Sequence, residues 1–355
     1  MRRKSRRPAS PLPQRHGVDP VHLRLPPEGP WPTVRDHLVE RLPAVPAARI
    51  DAALRDGEIV GEHGPITPDE PFRPGTHLWF HRDLPPEVRV PFDLVVLHRD
   101  EHLVVVDKPH FLATTPRGSH VTETALSRLR HALELPELSP AHRLDRLTAG
   151  LAMFVVRPED RGAYQTLFRD RLVRKEYRAI APYDPELSLP RTVRSHIVKE
   201  RGVIAAQEID APPNSESRID LLERRNGLAR YRLRPLSGRT HQLRLHMSGL
   251  GLPILGDPVY PVVLPETAPD DFRRPLQLLA SAVEFTDPLT GRERRFESRR
   301  TLAAWTDPQA WAEGPGVGPA GEPVGEPVGE PAGRSVGEPS REPVRKAVRE
   351  PVGES

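Results

Sequence analysis

Cysteine is absent from all 355 residues. That absence removes a disulfide framework, a thiol nucleophile, an iron–sulfur cluster and any zinc site built on thiolates. It fits a reducing cytoplasm, where we expect the protein to act. No stretch approaches the length of apolar run that spans a bilayer, and the basic start Met1–Arg15 has no apolar core behind it, so neither a membrane segment nor a signal peptide is expected. There is no dinucleotide-binding glycine loop, no P-loop and no H-E-x-x-H pair, so we expect no metal and no cofactor.

An excess of charge of one sign is also missing where a folded domain would lie. The formal net charge is +3; residues 1–15 carry six basic side chains and no acidic one, and residues 313–355 carry five basic against eight acidic, which leaves 16–312 formally neutral. Attraction to phosphate in that span must come from arginines gathered on one face. The length allows one core of roughly 200 to 250 residues with appendages.

Composition divides the chain into four parts. Residues 1–30, rich in Arg and Pro, are expected to be an unpacked basic arm, and 313–355, a Gly-Glu-Pro-Val repeat almost without large apolar residues, a disordered tail. Between them, 31–85 has an amphipathic pattern through Val34, Leu38, Leu42, Ile50 and Leu54, then short strand-like runs at Gly57–Val60 and Gly75–Phe80. From about 90 to 307, strand runs outnumber helices. Leu94–His98 and Leu103–Val106 read as a buried hairpin, Asn226-Gly227 as a hairpin turn, and Pro158 as the opening of a helix. The expected class is α+β with a mixed, largely antiparallel sheet.

Two segments of the larger unit concentrate polar chemistry. In His142-Arg143-Leu144-Asp145-Arg146-Leu147-Thr148-Ala149-Gly150 one carboxylate is flanked by two arginines, whose charge favours the ionised form, able to act as nucleophile or base. An isolated Asp in that setting is usually a turn cap on the surface. The second segment, Leu236–His246, reads as a turn and then a helix on which His241, Arg244 and Leu245 share a face. His241 and His246, five apart, do not align for joint metal ligation.

With Val106-Asp107-Lys108-Pro109, Lys175-Glu176-Tyr177-Arg178-Ala179 and Gly251–Tyr260, these segments form an ordered motif set. The span from about 90 to 290 thereby resembles the RluA-type family of RNA pseudouridine synthases. The resemblance implies a two-lobed catalytic domain with a central cleft, and no cofactor. It implies Asp145 as catalytic carboxylate, Tyr177 as the ring packing on the target uracil, and Arg244 as partner of Asp145. It further implies that Arg143 enters the stack vacated by a flipped uridine and that Leu243 lines the pocket. Lys108, Arg146, Thr148, Arg239 and His241 are expected to bind substrate around them. Lys108-Pro109-His110-Phe111 departs from the family's Lys-Pro-x-Gly, so the backbone there is expected to take a different path. Residues 31–85 resemble a degenerate S4 RNA-binding module.

The implied partner is a folded ribosomal or transfer RNA, with no obligatory protein partner. The implied reaction breaks the N1–C1′ bond of a uridine, turns the uracil and rejoins it through C5. A catalytically silent binder of structured RNA, or a ribosome assembly factor, is the alternative from another class. An N-glycoside hydrolase would normally need two working carboxylates, and the motifs offer one obvious candidate.

Overall fold

The computed structural model describes residues 8–313, so the first seven residues of the expected arm and the tail from 314 onward lie outside the described residues. Its strands follow the apolar runs. Leu103–Lys108 is buried at every position, as a strand covered on both faces must be: Val104 and Val106 enter one core, Leu103 and Val105 another. Over the first face lies the helix Ala125–Ala132, whose Ala125, Leu126 and Leu129 join that core and whose N-cap Thr124 accepts from Ser127 N at 3.1 Å. Over the second lies Arg161–Arg169, contributing Tyr164 and Leu167. The outer strand Val95–Arg99 pairs on one side only, and Val95 and Val96 are 40% and 38% exposed, so the expected buried hairpin is buried in one strand alone.

Among the described residues eleven strands form one sheet. Nine run in the order Gln207–Ile209, Arg191–Val198, Ser215–Arg225, Leu228–Pro235, Arg174–Pro182, Leu278–Thr286, Ala149–Val155, Leu103–Lys108, Val95–Arg99; off this path Glu293–Glu297 pairs with Leu278–Thr286 and Ser139–Pro140 with Ala149–Val155. Asn226 and Gly227, at φ 52° and 75°, make the two-residue turn whose twist matches its flanking strands. Every pairing is antiparallel except where Ala149 and Gly150 meet Leu279 and Ala280. At that contact a Cβ on Gly150 would lie 2.2 Å from the Ala280 carbonyl oxygen, and its φ is 105°, so glycine is required. The class is α+β with a largely antiparallel sheet, as expected. A further core gathers Ile219, Tyr231 and Leu233 under the helix Gln242–Gly249, and Tyr177 and Leu147 touch both this core and the one beneath Ala125–Ala132. They mark the seam between two lobes.

The N-terminal module has helices Val34–Arg41 and Ala47–Arg55, the first opened by a reciprocal capping box between Thr33 and Asp36. Its four-stranded sheet includes Val21–Arg24, paired with His77–Phe80. The expectation that nothing before residue 30 packs is therefore corrected. A four-residue strand followed by Leu25, 2% exposed, gains backbone bonds and a core position despite its Pro-rich flanks. No helix among the described residues is long and apolar enough to cross a membrane.

Candidate active site

One wall of a cleft at the seam is the loop His142–Thr148, fixed by what lies beneath it. Lys108, fully buried, donates from Nζ to the carbonyl oxygens of Pro109 (2.9 Å), Leu112 (2.7 Å) and Arg146 (3.3 Å). Thr114 Oγ1 donates to the Leu144 carbonyl and accepts from its N–H, at 2.8 and 3.1 Å, and a His110 Nδ1–H donates to the Leu147 carbonyl at 2.8 Å. Leu144 is thereby turned inward and its neighbour Asp145 left half-buried at the cleft. Burial pushes the Lys108 ammonium down to about 7, against the opposing pull of the Asp145 charge.

The turn that wraps this lysine includes Phe111 at φ 65°. A bulky residue thus adopts the left-handed conformation natural to glycine, held there by packing on Phe92 and Phe272 at ring distances of 6.3 and 5.3 Å.

Opposite lies the turn Ser237–His241 and the helix it opens. His241 has φ 57° and precedes the first helical residue Gln242, so helical spacing does not apply to it, correcting the shared face read from sequence. Every hydrogen-bonding position of the Gln242 amide is used: Oε1 accepts from Ser237 Oγ (2.8 Å) and Arg239 N (3.0 Å), and Nε2 donates to the Glu216 carbonyl and Ser217 Oγ (both 2.9 Å). Arg244 forms a two-pronged pair with Asp257, Nε–Oδ2 2.7 Å and Nη2–Oδ1 2.5 Å, both side chains being 3% exposed or less. Asp257 Oδ1 also accepts from the N–H groups of Val259 and Tyr260. Burial opposes the Arg244 charge, but the Asp257 bonds and charge outweigh it and raise its pKa.

Between the walls is a cleft of about 110 Å³. It brings together Asp145, Tyr177, Arg244, Arg143, Thr148, Arg239, His241 and Leu243. Lys108 and Arg146 do not line it: Lys108 is buried under the loop, and Arg146 lies 6.0 Å over the Phe111 ring. Of the residues expected to bind substrate, these two are the ones the fold places outside the cleft lining. The expected pairing of Arg244 with Asp145 is corrected. Its direct partner is Asp257, and Asp145 acts on it only through space. Among the described residues the Asp145 carboxylate has no hydrogen bond and no ion pair, while Lys108, His241 and Arg244 all feel its charge. Tyr177 carries a phenol whose pKa is raised by burial and by Asp145, so it keeps its proton at neutral pH.

Three contributors escaped the sequence reading. Lys175, which lines the cleft and donates to the Ser237 carbonyl at 3.0 Å, has its pKa lowered to about 8 by burial and by Arg171. Its position two residues before Tyr177 on one strand, hence on the same face, was the available signal. Asp257 lay in the quoted Gly256-Asp257-Pro258 motif, and Gln242 beside His241, without a role assigned to either.

The chain matches the family model described as RNA pseudouridylate synthase over residues 102–249. An uncharacterized RNA pseudouridine synthase of Synechocystis is 34% identical over 215 residues, which cover 58% of this chain and 72% of that protein. The dual-specificity RNA pseudouridine synthase RluA of Haemophilus influenzae is 31% identical, covering 58% of this chain and 93% of its own. The chain belongs to the RluA-type RNA pseudouridine synthase family. The ribosomal large subunit pseudouridine synthase D of Pseudomonas aeruginosa is 27% identical over 71% of this chain and 83% of its own. A pseudouridine synthase is an isomerase acting on RNA, and a base stacked in a helix cannot be turned over in place. The nucleotide must be extruded, at a cost of a few kcal/mol, into a pocket that offers stacking and polar contacts. Asp257, behind the helix wall, is consumed by Arg244 and two backbone N–H groups, and among the described residues Asp145 is the one carboxylate that lines the cleft.

Proposed function

We propose that Asp145 is the catalytic carboxylate of this synthase and that its substrate is a uridine of folded ribosomal or transfer RNA. The observation carrying this reading is the bare Asp145 carboxylate in a cleft shared with Tyr177 and Arg244. Attack on C1′, attack on C6 and removal of a sugar proton all need an unencumbered carboxylate at the reacting nucleoside. Tyr177 offers a protonated ring face to the uracil, and its raised pKa argues for packing rather than for service as a phenolate base. Arg244, clamped by Asp257, supplies a fixed positive charge within the field of Asp145, and exposed Arg143 fills the stack left by the flipped base. The relatives' names, one a ribosomal large subunit enzyme and one a dual-specificity enzyme, favour ribosomal or transfer RNA. The cysteine-free chain suits a cytoplasmic site of action.

Asp145→Asn tests this. Tritium release from RNA labelled at uridine C5 should cease, while RNA binding weakens by less than about tenfold, because a group acting on the reacting bond contributes little to ground-state affinity. Undiminished release by the variant would remove Asp145 from the role.

A further inference from the structure

A second and larger cavity, about 610 Å³, lies where the N-terminal segment and module meet the lobe that carries Ala125–Ala132. Its walls are fastened. Gln14 Nε2 donates to the Pro136 carbonyl at 2.8 Å, Arg130 pairs with Asp19 at 3.0 Å, and Gly17 lies so close that a Cβ there would be 2.2 Å from the Ser127 carbonyl oxygen. Glu87 reaches across to accept from the N–H groups of Val121, Thr122 and Glu123.

The fastening consumes the cavity's carboxylates and leaves its cations. Asp19 is held by Arg130 and Gln14, and Glu87 by backbone donors. Three further arginines line the space: Arg15, Arg82 and Arg117. All three are exposed and in no ion pair among the described residues; Asp83, whose charge faces Arg15, is already chelated by Arg49 at 2.6 and 2.9 Å. The lining is otherwise rich in apolar surface from Val18, Val21, Leu84 and Leu126. Cations over an apolar floor suit a phosphate that carries a sugar and base. Arg117 is hydrogen-bonded backbone to backbone with His120, and His120 feels the charge of Arg146, the neighbour of Asp145 in sequence. Positive charge thus continues from this cavity toward the cleft.

We propose that the cavity is a second RNA subsite, holding a phosphodiester-linked nucleotide of the same strand that places its target uridine in the Asp145 cleft. The inference rests on the reading of that cleft as the uridine site, but its test reads binding and not turnover. The probes are fluorescent oligouridylates about five and about twenty nucleotides long, the shorter able to fill one site and the longer able to reach both.

In the full-length Arg15→Ala/Arg82→Ala/Arg117→Ala variant the longer probe should bind about ten- to hundredfold more weakly. Its log affinity against log salt should be shallower by roughly 2, since each phosphate contact on a single strand contributes about 0.7. The shorter probe's affinity should change less than about threefold, and the triple lysine variant should recover most of the slope. Thermal unfolding should stay at the wild-type midpoint, because none of the three side chains holds the fold together. An equal loss for both probes, or an unchanged slope for the longer one, overturns the proposal. So does a cavity that takes only a free nucleotide: titration with uridine monophosphate would then separate the variant from wild type while the longer probe would not. Asp145→Asn should keep the wild-type length dependence, so failure of the catalytic reading is distinguishable from failure of this one.

Discussion

The two walls of the cleft carry their charged groups by different physics. The loop wall rests on an ammonium whose partners are backbone carbonyls, neutral dipoles that do not cancel its charge. The helix wall rests on a guanidinium matched by a carboxylate in two-pronged geometry. Burial therefore lowers the pKa of Lys108 to about 7 but leaves that of Arg244 raised. One wall has a support that titrates near neutrality, the other a support that stays charged. Asp145 lies between them, free of both and within the field of both. A carboxylate engaged in a salt bridge would have to break it before reacting; here the ion pair lies one residue further away.

The sharpest way to break this contrast is to remove one half of the helix wall's pair. Asp257→Asn strands the Arg244 charge in a buried position and should cost about 3–5 kcal/mol in unfolding free energy by urea titration. Single-turnover rate should fall as well, since Arg244 is then free to swing onto Asp145. A variant with wild-type stability would show that the pair is not desolvated in solution.

The loop wall should respond to a smaller degree and with a pH signature. Lys108→Met leaves buried carbonyls without a donor, at roughly 1–3 kcal/mol. The folded-state pKa of Lys108 is depressed from 10.5 to about 7. Between those values the unfolded chain binds more protons than the folded one, so the wild type gains stability as pH rises through the window and gains nothing from this group below about 7. The variant lacks that gain. The gap between the two proteins should therefore widen from pH 7 to 9, by at most about 1.4 kcal/mol per unit. A gap that is flat with pH would mean that Lys108 reaches solvent.

How much of this was legible in the chain follows from the range of each signal. Period-two apolar runs and the Asn226-Gly227 turn are local, and they led to the sheet and its class. Asp145, Tyr177 and Arg244 were found through motif order and do share a cleft. What could not be read was pairing among charges of one motif set: Asp145 has arginines on both sides in sequence, yet Arg143 stands exposed in the cleft lining and Arg146 over the Phe111 ring, neither paired with it among the described residues, and Arg244 is captured by Asp257 thirteen residues on. The local turn after Asp257 gives that carboxylate two backbone donors, but which arginine it then meets is settled only when the helix Gln242–Gly249 packs against that turn. The strand at Val21–Arg24 was missed because composition averages over a window, and four residues among prolines disappear in it.

The smallest effect bears on the turn beneath the loop wall. With Gly absent after Lys108-Pro109-His110, a different backbone path was expected, yet Phe111 itself adopts φ 65° and so bends the Pro109 and Leu112 carbonyls around Lys108. That conformation costs a residue with a Cβ about 1–2 kcal/mol. The buried ring against Phe92 and Phe272 offsets it, and Phe111→Ala should lose that packing, roughly 3–5 kcal/mol, while keeping the strain. Phe111→Gly loses the same packing but relieves the strain, less the roughly 0.5–1 kcal/mol of extra freedom glycine gives the unfolded chain. Glycine should therefore be the more stable of the two truncations by up to about 1 kcal/mol, the reverse of the order at an ordinary position. Paired urea titrations of the two variants decide it, and Phe111→Ala equal to or above Phe111→Gly would mean that the left-handed turn under Lys108 does not form in solution.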